Sequence, residues 1–336
     1  VDVPNVVWIL TGVAVVGLIV FDFFAHVRTP HEPTFRESAW WSTVYIALAL
    51  VFGVGLGVVA GWDLGAEYFA GYVTEKSLSV DNLFVFLIIM TRFAVPRAFQ
   101  QKVLLVGVAI ALVLRTIFIL LGAAAIEQWS WVFYVFGAYL VYTGVKLARD
   151  HADEAPDDAA GNGFMVRFVR RVLPTTDEYH DDRLTVRIDG RRVLTPMLLV
   201  MVAIGSTDIL FALDSIPAIY GLTSEPYIVF TANAFALLGL RQLYFLIGGL
   251  LERLVYLSQG LAVILGFIGI KLVLHAMHTN ELPFINGGEH VEWAPEIPIW
   301  LSLTVILGTL AIATITSLIK TRNDQRTEPA VPAMKE

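Results

Sequence analysis

Long apolar blocks separated by short polar runs dominate the chain. A helix crosses a hydrocarbon core about 30 Å thick with roughly 20 mostly apolar residues. Nine segments reach that length, at about 6–27, 43–62, 66–90, 102–126, 129–148, 196–220, 227–249, 254–276 and 298–319. The first does not read as a cleavable signal, because it lacks a basic leader and Asp22 is followed by Phe-Phe-Ala-His. The pattern predicts an all-α, polytopic integral membrane protein with nine transmembrane helices.

Loop charges set an orientation, since Lys and Arg favour the cytoplasmic side. Arg28 and Arg36 follow the first segment, and Arg92, Arg97 and Lys102 follow the third. The 149–195 connection carries Arg149, Arg167, Arg170, Arg171, Arg183, Arg187, Arg191 and Arg192. Arg253 follows the seventh segment, and Lys320, Arg322 and Arg326 the ninth. The alternate loops carry Asp63, Glu67, Glu127 and Glu225 with no Lys or Arg, and the 277–297 loop is acidic too. This places the N-terminus outside and the C-terminus inside.

Composition narrows the chemistry. The 336 residues are 57% hydrophobic and 16% charged, whereas soluble domains carry about 25% charged residues. A net charge of -7 argues against a general nucleic-acid binder. The absence of cysteine removes disulfides, thiolate metal sites and thiol redox chemistry.

Two three-helix blocks resemble each other. Thr74-Glu75 with Asp81 matches Thr207-Asp208 with Asp214. Leu112 to Arg115, running on to Phe118 and Gly122, matches Leu238 to Arg241, running on to Tyr244 and Gly248. Gly144 to Leu147 matches Gly269 to Leu272. The offsets are 133, 126 and 125 residues. Three is odd, so the second block must enter the membrane from the opposite side. That predicts an inverted-topology repeat, as in many secondary transporters, with the substrate site at the repeat interface. The expected organisation is two accessory helices (1–62), repeat 1 (66–148), a cytoplasmic loop (149–195), repeat 2 (196–276), a last helix (298–319) and a tail (320–336).

The repeated motifs run from Glu75 to Asp81-Asn82 and from Asp208 to Asp214-Ser215. An ionisable side chain at the bilayer centre costs roughly 2.5–3.5 kcal/mol on insertion scales, so four ionised carboxylates would cost about 10–14 kcal/mol uncompensated. Something positive or wet must face them. On an unbroken helix, residues six apart point about 120° from each other and lie about 9 Å apart along the axis, so one pair cannot close around a single ion. Either the helices unwind, around Ser77–Ser79 and before Pro217, or the repeats cross and each contributes one acid. In both cases the ligands are oxygens: carboxylates, the Asn82 amide, hydroxyls, backbone and water. These suit Mg²⁺, Ca²⁺ or Mn²⁺. Two alternatives stand beside a metal site: structural ion pairs with Arg115, Arg241 and Lys76, and a proton relay without metal.

The runs EKSLSVDNLFVF at 75–86, STDILFALDSIPA at 206–218 and ALLGLRQLYFL at 236–246 resemble the TerC/Alx family over essentially the whole chain from Trp8 to Lys320. That family is grouped with inverted-repeat exporters of the LysE type. The resemblance implies Mn²⁺ efflux, with other hard divalent cations as alternatives and with supply of metal to secreted enzymes. The ion ligands it implies are Glu75, Asp81, Asp208 and Asp214, supported by Asn82. No organic cofactor and no enzymatic activity are expected, and no Walker A, HExxH or GxSxG pattern is present. A metal or pH sensor, or scaffold, and an intramembrane metal-dependent enzyme are the competing classes.

Weaker signals carry bland expectations. Asp22 and His26 lie four apart on the first helix and are expected to form an interfacial hydrogen-bonded pair, with a gate or an outer ligand as the alternative. Asn233 is expected in a helix–helix hydrogen bond, with a reach to the acidic site as the alternative. In the cytoplasmic loop, 150–163 reads as an acidic linker, 164–173 as an amphipathic helix on anionic lipid headgroups, and 184–194 as a hairpin around Asp-Gly. A sensor built from Asp177, Glu178, His180, Asp181 and Asp182 is the less favoured use of that loop. The polar 277–297 loop, with His275, His278, Glu281, Glu289, His290, Glu292 and Glu296 in or beside it, is expected to be ordinary.

Overall fold

A computed structural model describes residues 3–27, 33–129, 131–149, 164–188, 191–251, 256–280, 282, 285–286, 289, 291 and 293–327. At 26–27, 81, 84, 164–165, 191, 214, 247–251 and 322–327 it describes the backbone alone. The 150–163 linker, Glu281, His290 and Glu292 fall outside the described residues.

Among the described residues the fold is helical, with one hairpin. Helix α1 (Asn5–Asp22) ends in a π turn (Phe23–Val27), and α2 spans Phe35–Ala60. Then follow α3 (Trp62–Arg92), α4 (Arg97–Gln128) and α5 (Val132–Arg149). The connection holds α6 (Phe164–Val172) and the antiparallel strands β1 (Thr185–Ile188) and β2 (Arg191–Leu194). After it come α7 (Pro196–Tyr220), α8 (Pro226–Leu237), α9 (Leu240–Leu251), α10 (Leu257–His278) and α11 (Ile299–Thr327).

A helix thus occupies each of the nine expected places. Seven helices, counting α8 and α9 as one, are long and apolar enough to cross a membrane. The two that fall short are α3 and α5. The first carries Asp63, Glu67, Glu75, Lys76, Asp81 and Arg92, and the second is 18 residues long with Lys146 and Arg149 near its end. Val6, Ile9, Leu10 and Val13 on α1, Val58 and Val59 on α2, and Ile312, Ile315 and Ile319 on α11 are exposed. An apolar exterior of this extent belongs in lipid.

One of the two geometries expected for the acidic motifs is not the one adopted. Neither acidic motif unwinds: α3 is continuous through Ser77–Ser79, and α7 is continuous to Tyr220 with Pro217 inside it. The break lies instead at Leu238-Gly239, between α8 and α9, where Gly239 has φ +77°. That backbone region favours glycine, and a Cβ there would also press 2.9 Å from Tyr45 Cβ.

Close approaches organise the bundle. On the α5–α10 crossing a Cβ at Gly137 would lie 2.8 Å from the Gly269 carbonyl oxygen, and one at Gly144 would lie 2.9 Å from that of Ala262. Small residues let membrane helices pack backbone to backbone in this way. Helix α4 packs on α7, and α3 on α8. Beneath them one apolar cluster joins Leu83, Phe86 and Ile89 to Leu104, Val108 and Ile204. A second joins Phe133 and Leu140 to Leu261, Leu265 and Ile268.

The hairpin and amphipathic helix form where expected. Val166 of α6 is buried in the first cluster, while Arg167, Arg170 and Arg171 stay exposed. The loop after α6 grips the α3–α4 turn: the Tyr179 hydroxyl donates to the Phe93 carbonyl at 2.8 Å, and Lys102 Nζ stands 2.7 Å from Asp182 Oδ2. Two of the basic loops therefore meet at one end of the bundle.

Candidate functional site

Helix periodicity places Glu75, Ser79 and Asn82, at i, i+4 and i+7, along one face of α3. It does the same for Asp208 and Ser215, seven apart, on α7. Those faces meet around Arg115, from the middle of α4. Its guanidinium Nη1 donates to Glu75 Oε2, and Nη2 stands 3.6 Å from Asp208 Oδ1. With its amide in the orientation that satisfies both atoms, Asn82 donates to the Leu78 carbonyl at 3.1 Å and accepts from Arg115 Nη2 at 3.2 Å. Arg115 and Glu75 are wholly buried, and Asp208 is 2% exposed.

The pairing is incomplete. Two carboxylates share one guanidinium, and several buried polar atoms have no hydrogen-bond partner: Glu75 Oε1, Asp208 Oδ2, Ser79 Oγ, Ser215 Oγ and both amide atoms of Asn233. Ser215 and Asn233 lie against the Glu75 carboxylate. Orphaned buried polar atoms are uncommon in folded proteins, and each calls for an explanation. Asn233, on α8, turns to the Glu75 carboxyl on α3, the second of the two uses expected of it.

Of the five sequence candidates, Glu75, Asp208 and Asn82 converge. Asp81 and Asp214 sit six residues beyond the acids, about 9 Å along continuous helices, and their side chains fall outside the described residues. Among the described residues no group of three or more His, Asp or Glu could hold a metal. The sequence expected hydroxyls among the ligands without choosing which; Ser79, four residues from Glu75, and Ser215, seven from Asp208, are the ones on the acid faces.

A second polar cluster forms around Arg241. Its Nε donates to Asp22 Oδ2 at 3.1 Å and its Nη2 to Asp22 Oδ1 at 2.9 Å. Gln242 Nε2 and the Tyr45 hydroxyl donate to the same Oδ1 at 2.8 and 3.1 Å. Arg241 Nη1 donates to Gln101 Oε1. Asp22 is thus a buried partner of α9; the His26 side chain, the other half of the expected pair, falls outside the described residues. Beside this cluster Lys76 Nζ donates to the Ala236 and Leu238 carbonyls at 3.0 and 3.3 Å, covering the helix break.

Described loop candidates have partners of their own. Asp182 pairs with Lys102, which holds its carboxyl below the usual range chiefly through that hydrogen bond. Asp177 lies 3.9 Å from Arg170. Glu296 lies 3.5 Å from His278.

Comparisons with known proteins agree with the motifs. The model of the integral membrane protein TerC family matches residues 60–325. An uncharacterised membrane protein of Mycobacterium tuberculosis is 52% identical over 319 residues, covering 95% of this chain and 80% of that protein. A membrane protein of Myxococcus xanthus is 37% identical over 95% of this chain and 93% of its own length. Alx of Escherichia coli, provisionally named a membrane-bound redox modulator, is 39% identical over 89% of this chain and 90% of its own length. No solved structure matches. Motifs, multi-pass architecture and matched length together place the chain in the TerC family of integral membrane proteins.

Proposed function

We propose that this protein is a nine-span secondary transporter that exports a divalent cation, Mn²⁺ first among the hard cations, across a bacterial cytoplasmic membrane. The observation that carries the reading is the under-neutralised Glu75–Arg115–Asp208 cluster with its unpartnered oxygens. Two carboxylates carry the charge that balances one dication. Arg115 supplies half of that, so it holds the acids together while the site is empty and is displaced when cargo arrives. The spare donors are carboxylate, hydroxyl and amide oxygens, the set that hard divalent ions prefer. Asp81 and Asp214 complete the four-acid set that the motifs imply.

The inverted repeat draws support from the α5–α10 crossing. The 125-residue offset that matches Gly144 to Gly269 also matches Gly137 to Ala262. The Gly137–Gly269 and Gly144–Ala262 contacts therefore exchange with each other under the offset, as a two-fold axis through the crossing requires. Contact between the α3–α4 turn and the 174–195 loop favours one basic, cytoplasmic end, with the N-terminus outside. Exchange against protons follows from the same acids, which bind a cation when ionised and release it when protonated.

The test is flux into proteoliposomes, with Mn²⁺, Ca²⁺, Mg²⁺ and Zn²⁺ compared under pH and metal gradients. Wild type moves Mn²⁺, whereas Glu75→Gln and Asp208→Asn do not. No flux under either gradient overturns the reading, and binding without flux supports a sensor. The redox role in the name of Alx would need a group other than cysteine here, since these 336 residues contain none.

A further inference from the structure

We infer that the Asp22–Arg241 ion pair is a latch that closes the cytoplasmic route to the Glu75–Asp208 site, with α1 as its moving arm. The inference rests on the transport reading and the orientation given above. Sequence pattern matches Arg241 to Arg115, yet the two are neutralised differently. Arg115 takes its acids from the two repeats. Among the described residues Arg241 pairs with no acid of either repeat, and its counter-charge comes from α1, outside the stretch that the family model matches.

Position fits a gate. Gln101, which accepts from Arg241, lies 14 residues before Arg115 on α4. That is about 21 Å nearer the basic end of the bundle at 1.5 Å per residue. Arg241 also stands just past the break at Gly239, so whatever holds its guanidinium fixes the lower half of the broken helix. On its cytoplasmic side lies a cavity of about 10 Å³, lined in part by Glu37, Ser38, Trp41 and Gln242 and reaching Arg241 itself. It is large enough for a single water. Ser38 Oγ and Gln242 Oε1, both buried, have no hydrogen-bond partner. A water there would give those atoms a partner beside the ion pair.

Helix α1 is built to move about its far end. There the Thr11 and Tyr227 hydroxyls share a hydrogen bond of 2.8 Å, and Trp8 meets the Tyr227 ring edge-on at 5.1 Å between centroids. Most of the helix between faces lipid, with Val15 and Asp22 its buried residues. Tilting α1 about Tyr227 withdraws Asp22, frees Arg241 and opens the route.

The chain has no cysteine, so Ser79→Cys gives a single thiol at the central site. Its labelling by a small, membrane-impermeant methanethiosulfonate is measured from each side of oriented vesicles. Asp22→Asn is expected to raise cytoplasmic-side labelling about fivefold or more, the size of an ordinary coupling between sites, with no rise from outside. Exchanging the charges, Asp22→Arg with Arg241→Asp, is expected to return the rate towards its starting value. Arg241→Lys keeps the charge but loses the two-pronged contact, so it shows a smaller rise of the same sign and serves if Asp22→Asn does not fold. Unchanged labelling in the folded variants, or an equal rise from both sides, overturns the latch. The readout is accessibility, so a protein that shows the labelling change but moves no Mn²⁺ keeps the latch and loses the transport reading.

Discussion

Glu75 on α3 and Asp208 on α7 face the same guanidinium, that of Arg115 on α4. They are 133 residues apart and occupy matching positions in the two acidic motifs. One guanidinium thus serves a carboxyl from each motif.

Removing the shared guanidinium should therefore be costly to the fold as well as to transport. Breaking a buried ion pair costs about 3–5 kcal/mol, because the surviving charge is left uncompensated. Arg115→Gln is expected to lower the unfolding midpoint in detergent clearly. Adding Glu75→Gln to it should recover part of the loss, which a double-mutant cycle will measure.

The unpartnered hydroxyls allow function to be separated from stability. Ser79 Oγ and Ser215 Oγ are buried without a hydrogen-bond partner, so truncating them removes a desolvation cost without breaking an interaction. Ser79→Ala and Ser215→Ala should leave thermal stability unchanged or slightly raised. Both should weaken Mn²⁺ binding, read by isothermal titration. Equal affinity in all three proteins would remove these hydroxyls from the site.

Lys76 covers the carbonyls exposed where α8 ends. Leaving buried acceptors unsatisfied costs about 1–3 kcal/mol, and the effect should be local. Lys76→Met is expected to speed amide hydrogen exchange across 238–243 while α10 stays protected.

The α5–α10 crossing tolerates no added side chain. A Cβ at Gly269 would stand 2.8 Å from both the Gly137 oxygen and the Val141 nitrogen, whereas one at Gly266 meets nothing within 4 Å. Overpacking of this kind costs roughly 1–3 kcal/mol. Gly269→Ala should therefore lower the unfolding midpoint, and Gly266→Ala, as its control, should not.

Acid should loosen the loop clamp on the α3–α4 turn. The folded carboxyl of Asp182 is held below its ordinary value by Lys102, so its contribution is present above the unfolded pKa and is lost as pH falls through the folded one. Both partners are partly exposed, at 27% and 40%, which limits the contribution to about 1 kcal/mol or less and makes it sensitive to salt. Limited proteolysis near 182 should quicken in acid and change little in Lys102→Ala, where the pair is already gone.

Much of this architecture was legible in the sequence because its causes are local. Runs of apolar residues dictate helices in lipid, and the Asp-Gly pair at 189–190 marked the hairpin flanked by β1 and β2. The dense charge of α3, which sets it apart from an ordinary apolar span, was itself what singled out Glu75. The break at Leu238-Gly239 was harder to read, since Gly239 lies in an apolar stretch like other helical glycines. What distinguishes it is Tyr45 on one side and Lys76 behind it.

The sequence alone determined the solvent, the helices and the identity of the buried charges, since each follows from hydropathy and spacing along the chain. Tertiary structure decided who neutralises whom. Arg115 serves the acids of both motifs, Arg241 takes Asp22 from a helix 219 residues away, Lys76 turns from the acids to backbone carbonyls, and Asn233 turns to Glu75. A buried charge takes whichever partner is brought within about 4 Å of it, and that distance is fixed by helix crossings, which no one-dimensional pattern records.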